Sequence, residues 1–590
     1  MPLIDPHSVT DPAQGQIRHV RLDLQVDFKR QVLHGRARYQ LDHSRPGPFD
    51  LDTRGLEILG ATGSRGRLHF ELGPEDEILG KRLRLLAVPA KDEVEIEFAT
   101  TAASRALQWL TPAQTAGGVH PFLFTQCQPI HARTVFPCQD SPSIRFTYEA
   151  SLNVPSPLVG VMAAAFVGSE GGDGRRSYRF HMAQPIPSYL FALAVGDLVA
   201  RDIGPRTRVY AEPSIVEAAA REFDRTEAML AEAEKLYGPY TWERYDLLVM
   251  PPSFPYGGME NPRLTFLTPT MIVGDRSLTN LIAHELAHSW TGNLVTNATW
   301  EDFWLNEGWT TYAERRILGA LEGEPAAMLR AATGRNTMFR AMEHFGYESP
   351  PTRLKFSQRG IDPESVVSYV PYEKGYSFLV RLERAVGRPA FDAFTLAYIG
   401  RHRFRSITTE AFIEFLRQEL PEAARQVDLQ AWLYQPGFPD DAPTFDSPVI
   451  DAVTNRLFDY QEGRLPTRAD VAGWSTAQIY LFLQYLPRVI PVEHCRKLEA
   501  AFDFTRARVP QFLSQFYEIG LRSSYREVLP RAEALIGDVG RVFIILPVFQ
   551  AIAQTEWTRR RARPLFERVR AKHHPITVLA MEQVLLQQGL

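Results

Sequence analysis

The chain is poor in cysteine. Its 590 residues hold three thiols, Cys127, Cys138 and Cys495, and none stands in a CxxC pair. That count excludes a disulfide framework, argues against a thiolate zinc site or redox dithiol, and suits a reducing compartment. Long hydrophobic runs are also missing. The most apolar stretch near the end, Val542 to Val548, is interrupted by Pro547 and is too short to span a bilayer. Residues Met1 to His7 lack the basic and apolar segments of a secretory signal, so a cytoplasmic protein without a membrane partner is expected. No excess of one charge exists either: 65 basic against 69 acidic residues leave −4, and nothing global favours nucleic acid as a partner. A composition of 45% hydrophobic and 23% charged residues excludes disorder, collagen and coiled coil. The length allows several cores without any metal or disulfide being needed for folding.

The patterning divides the chain into three. From His19 to Asp42 the side chains alternate, with Val20, Leu22, Leu24, Val26 and Phe28 on one face, which predicts a half-buried strand. The alternation returns in Asp92–Phe98 and Phe146–Val154, and the glycine-rich run 168–174 reads as a hairpin tip. The first two hundred residues are expected to be mostly antiparallel β. After Pro213 the period lengthens; 215–237 reads as helical, and helical patterns with shorter strands continue to about Tyr434. A turn-rich segment, Gln435–Pro443, follows. From Val449 only helix-length segments punctuated by prolines remain, which suits stacked helical pairs.

The chemistry is concentrated in His284-Glu285-Leu286-Ala287-His288. Residues four apart on a helix share a face, so two imidazoles project together and suit a zinc ion. Asn306-Glu307-Gly308 offers a carboxylate nineteen residues after His288 as the third ligand. Glu285 points about 100° away from the histidine before it, towards a metal's water and not the metal. Leu281-Ile282-Ala283 is apolar, so this helix enters a core. Upstream, Gly257-Gly258-Met259-Glu260-Asn261-Pro262 lets backbone approach backbone, as an edge strand does when a peptide adds to it. On these residues alone Glu260 is either a carboxylate beside an extended substrate or a plain loop carboxylate.

Together these motifs resemble the M1 metallopeptidases, the gluzincin aminopeptidases, in the branch that contains leukotriene A-4 hydrolase. Thr125-Gln126-Cys127-Gln128, Pro137-Cys138-Gln139-Asp140, Val370-Pro371-Tyr372-Glu373-Lys374-Gly375 and Arg563-Pro564-Leu565-Phe566 extend the likeness over most of the chain. The resemblance implies a multidomain α+β fold. It comprises an N-terminal antiparallel β domain (1–199), a thermolysin-like zinc catalytic domain (200–440) and a C-terminal all-α superhelical domain (441–590), with the site between them. It implies one zinc per chain on His284, His288 and Glu307, and Glu285 as general base to the zinc-activated water. Glu260 would bind the substrate's α-ammonium with help from Gln128, and Tyr372 would stabilise the oxyanion. Gly257, Gly258, Met259 and Tyr256 would line the substrate. Glu314 is either a partner of a zinc histidine or a solvated carboxylate.

The match departs from leukotriene A-4 hydrolase in places. A tyrosine expected five residues before Tyr372 is Val367, and an aspartate expected nearby is Glu364. The Arg-x-Lys that precedes Arg-Pro-Leu in that branch, and holds the substrate carboxylate, has Thr558 and Arg560 in its slots. One of Arg559, Arg560 and Arg561 is expected to take over, Arg560 being the one that stands in the second slot; the whole basic run to Lys572 reads equally as a solvated helix face. The expected function is a monomeric zinc aminopeptidase acting on short peptides with a free N-terminus. The alternatives are a bifunctional aminopeptidase and lipid-epoxide hydrolase, and a zinc-bearing peptide-binding scaffold. The intact Glu285 and Tyr372 argue against the scaffold, and Glu260 argues against an endopeptidase.

Overall fold

The structure is a computed structural model and describes residues 3–43 and 45–590. Alternating side chains build the first layer. Strands β1 (Gln16–Asp27) and β2 (Val32–Asp42) bury Val20, Leu22, Leu24 and Val26 while Arg21, Asp23 and Gln25 stay in water. The alternation read from His19 to Asp42 is thus two strands. The chain reverses between them with Gln31 in the left-handed region (φ 55°), and Phe28 leaves the strand to pack edge-on against Trp109.

These strands sit inside an eight-stranded sheet. It is not wholly antiparallel: β1 pairs in parallel with β3 (Arg145–Pro155), His19 opposite Thr147. A chain segment of this length between β2 and β3 makes the parallel return possible, which a tight hairpin cannot. The glycine-rich run lies mostly within the edge strand Ala165–Gly172, and only Asp173 and Gly174 make the turn.

The central part carries a five-stranded sheet. Its order is Val199–Asp202, Thr207–Ala211, Tyr245–Val249, β5 (Leu264–Leu267) and, at the edge, β4 (Gly258–Met259). Three helices follow: α1 (Asn280–Ala287) packs on the edge strand β4, α2 (Trp304–Glu322) packs on α1, and α3 (Val370–Val386) packs on α2. The helical run expected at 215–237 is two helices, Val216–Glu222 and Thr226–Tyr237.

From Pro448 to Gln587 regular structure is helical only. The apolar Val542–Val548 stretch opens α4 (Val542–Gln554), which continues through Pro547. Backbone contacts fasten its entrance to the central part: Gly540 N donates to Pro252 O (2.8 Å) and Val542 N to Pro255 O (3.0 Å). No helix among the described residues is long and apolar enough to cross a membrane.

Three large apolar cores follow this order. The first collects residues from Ile17 to Leu198 and borrows Trp242, Leu248, Met250 and Phe254 from the central part; the second runs from Val209 to Phe445; the third is mostly Val453 to Leu585. The borrowed side chains glue the β layer to the central sheet in one shared core.

Candidate active site

The zinc motif lies where sequence spacing puts it. His284 is on α1, and His288 is the residue at its C-terminal end. Nε2 of His284 is 3.3 Å and Nε2 of His288 is 3.6 Å from Oε2 of Glu307 on α2. Tetrahedral zinc with bonds of about 2.0–2.1 Å separates its ligand atoms by about 3.4 Å, so the three atoms fit that ion. Glu307 Oε2 is buried and has no hydrogen-bond partner of its own, as an atom reserved for a metal would be. Both imidazoles are held from behind through Nδ1. His284 meets Glu314 Oε2 at 3.1 Å; His288 meets Thr291 O at 3.1 Å and Thr310 Oγ1 at 3.0 Å. Those partners fix Nδ1 as the protonated nitrogen and turn Nε2 inward. Glu314 is therefore bound to a histidine, not solvated.

Close packing of small residues brings the carboxylate and the phenol together. Gly308, beside Glu307, and Gly375, on α3, face each other; a Cβ on Gly375 would lie 2.8 Å from Gly308 Cα. Only glycines let α2 and α3 approach so closely, and the approach carries Tyr372 to the site. Its ring stacks on His284 with centroids 5.9 Å apart, and its hydroxyl interacts with the Glu307 carboxylate.

Gly258 serves Glu285 in the same way. The edge strand β4 lies so near α1 that a Cβ on Gly258 would stand 2.5 Å from Glu285 Cδ. On the same edge Gln128 Nε2 donates to Glu260 Oε1 at 3.1 Å, and Met259 Sδ accepts from Gln126 Nε2 at 3.2 Å. Asn293 ties the end of α1 to this edge: its N donates to His288 O (2.9 Å) and its Nδ2 to Glu260 O (2.7 Å). Tyr256 points its hydroxyl at Glu364 Oε1 (3.4 Å), whose other oxygen meets His131 Nε2 at 3.3 Å.

Three buried carboxylates thus converge, and their electrostatics call for cations. Burial, reinforced by Glu307 and Glu285, pushes the Glu260 carboxyl well above its usual range. Burial raises Glu285 to about 8, Glu307 and Glu314 adding to it against His284. Burial lowers His288 to about 4, which leaves it a neutral imidazole ready to ligate. Burial also works against the charge of Glu307, but His288, His284 and Tyr372 hold its carboxyl below the usual value.

Arg560 is not part of this cluster. It is exposed on a 3-10 turn, Arg559–Arg561, beyond the far end of α4. Its neighbours are used elsewhere: Arg561 pairs with Glu533, and Arg559 donates to Gln588 O. The arginine that faces the cleft is Arg541, just before α4. Its Nη2 would be 2.9 Å from a Cβ on Gly257, it acts on the Glu285 charge, and its Nε is buried without a partner. Sequence reasoning missed it because the basic run further on offered a denser signal. Its one sequence mark was a lone arginine at the entrance of the most apolar C-terminal helix. Val367 is 51% exposed and brings no hydroxyl to the site.

Comparison with known proteins agrees with this geometry. Family models match three segments: the peptidase M1 N-terminal domain over 16–190, the peptidase family M1 domain over 221–432, and the leukotriene A4 hydrolase C-terminal domain over 474–585. The chain is 37% identical to leukotriene A-4 hydrolase of Xenopus laevis over 98% of both chains. It is 36% identical to leucine aminopeptidase 2 of Neosartorya fischeri over 98% of this chain and 97% of that one. A solved structure of yeast LTA4 hydrolase in complex with bestatin superposes with a TM-score of 0.92 at 32% identity, covering 99% of this chain and 97% of that one. The chain belongs to the M1 peptidase family of zinc metallo-aminopeptidases, in the branch that carries the leukotriene A4 hydrolase C-terminal domain.

Proposed function

We propose that the protein removes the N-terminal residue of short peptides, with His284, His288 and Glu307 holding one zinc per chain. Bound there, zinc would polarise the scissile carbonyl and lower the pKa of its water towards about 7. Glu285 takes the water's proton and passes it to the leaving amine. Tyr372 donates its hydroxyl hydrogen bond to the oxygen on which negative charge develops. Glu260, oriented by Gln128 and backed by Asn293, receives the substrate ammonium, while Gly257, Gly258, Met259 and Tyr256 border the peptide. We assign to Arg541, in place of Arg560, the carboxylate at the peptide's far end, which favours short substrates. The cleft is formed by units spanning 1–199, 200–440 and 441–590 in a monomer working in the cytoplasm.

The observation that carries this reading is a buried carboxyl group, Glu260, with no cationic side chain paired to it among the described residues, beside three side chains placed to hold a metal. An endopeptidase has no use for it. Aminoacyl-arylamides and their N-acetylated forms, assayed with and without a zinc chelator, test it. Turnover of the free-amino forms alone, abolished by the chelator and restored by zinc, is expected. Lipid-epoxide hydrolysis is expected to be weak, because Val367 stands where that activity's branch has a tyrosine and His131 and Tyr256 already engage Glu364.

A further inference from the structure

Residues 257–260 give the cleft a direction. Arg541 abuts Gly257, Glu285 abuts Gly258, and Gln128 bonds Glu260. A peptide whose ammonium sits at Glu260 and whose first peptide bond faces Glu285 therefore sends its leaving portion towards Gly257 and Arg541. On that side stands a run of rings. From Tyr372 the next is Tyr369, with centroids 5.7 Å apart, and then Phe543, 5.4 Å further on, with the Arg541 guanidinium 5.8 Å from the Phe543 centroid.

Phe543 is not a core residue. It is 36% exposed, while Ile544 and Ile545, next on α4, are 1% and 0% exposed. Tyr369, at the start of α3, makes no capping hydrogen bond with its side chain and is half-buried. Two aromatic side chains from separate parts of the chain thus meet at the rim of the cleft without closing over each other.

We propose that Tyr369 and Phe543 form the wall of the subsite for the peptide's second residue, and that this wall selects an apolar or aromatic side chain there. The inference rests on the aminopeptidase reading with Glu260 as amine anchor. Tyr372 lies beside the scissile carbonyl, so the ring next to it borders the residue just after the cleaved bond. Successive side chains of an extended peptide point to opposite faces. The second residue therefore meets the rings, the third points away, and the chain's carboxylate continues to Arg541. An aromatic pair adds up to about tenfold in affinity beyond area burial.

The test is kcat/KM for Leu-X-Ala tripeptides with X as Phe, Leu, Ala or Asp, on the zinc-loaded wild type, Phe543→Ala, Phe543→Leu and the Tyr369→Ala/Phe543→Ala double variant. Phe543 is 36% exposed, outside the buried core that holds Ile544 and Ile545, and Phe543→Leu keeps most of its apolar volume, so the single variants carry the test even where the double variant loses stability. The wild type should prefer Phe over Ala by about tenfold, the same aromatic increment. Phe543→Leu should keep an apolar preference, Phe543→Ala should weaken it, and the double variant should bring the ratio within about threefold. A flat wild-type profile, a preference for Asp, or full selectivity in Phe543→Ala overturns the wall while leaving the aminopeptidase reading standing. Failure of the wild type to cleave any of the four peptides overturns that reading and the wall with it.

Discussion

Replacing Gly258 by alanine perturbs one atom group at the centre of the site. The new methyl would stand 2.5 Å from Glu285 Cδ and 2.7 Å from Cγ, with Oε1 nearer still. Carbon atoms settle at about 3.5–4.0 Å, so the carboxylate or the strand must retreat by about 1 Å. The strand is held by its pairing with β5, Gly258 opposite Leu267, and Asn293 clamps Glu260 two residues on. The side chain of Glu285 is the part that yields. A general base, the role proposed for Glu285, loses about a hundredfold in rate when displaced by that distance. Gly258→Ala should therefore lower kcat on a leucyl arylamide by about a hundredfold, with zinc content and thermal midpoint close to wild type. Gly257→Ala is the control: its methyl meets the far end of the Arg541 side chain, at 2.9 Å from Nη2, which can swing aside. It should cost less than about tenfold, one decade or 1.4 kcal/mol. If Gly258→Ala with full zinc keeps more than half of wild-type kcat, close approach of β4 does not position Glu285.

Glu307→Ala should leave two ligands, and elemental analysis after dialysis should find well under one zinc per chain; full retention would remove Glu307 from the ligand set. Glu260→Ala should cut kcat/KM for a free-amino peptide by about thirtyfold, which is about half of the Coulomb attraction of roughly 4 kcal/mol for unit charges 4 Å apart at an effective dielectric of 20. The N-acetylated peptide should be a poor substrate for both proteins, and equal losses on the two forms would refute the amine anchor. Arg541→Met should raise KM for di- and tripeptides while leaving an arylamide, which has no carboxylate, nearly unchanged. Equal effects on both substrates would refute its carboxylate role. Arg133 is fully buried between Asp140 (2.9 Å) and Asp52 (3.7 Å), so Arg133→Met should cost about 3–5 kcal/mol by stranding those carboxylates, measured as a fall in unfolding midpoint.

The sequence by itself determined whatever follows from local period and spacing. Two histidines four apart fall on one helix face wherever that helix lies, and β1 buries every second residue because strand side chains alternate. The resemblance of the remaining motifs then supplied Glu260, Gln128 and Tyr372. Tertiary structure decided what depends on distant segments meeting. The parallel pairing of β1 with β3 and the break between the helices at 216–222 and 226–237 leave no mark in the periodicity. The contact of Gly308 with Gly375 sets the distance between Glu307 and Tyr372, yet each glycine alone reads as an ordinary helix weakness. The cleft arginine shows the difference most sharply. Arg559–Arg561 carry the denser charge in sequence, but they face solvent, while backbone hydrogen bonds from Gly540 and Val542 to Pro252 and Pro255 bring the solitary Arg541 to the site. Charge density is a property of neighbours along the chain; access to a substrate is a property of neighbours across the cleft, which only the packed structure brings together.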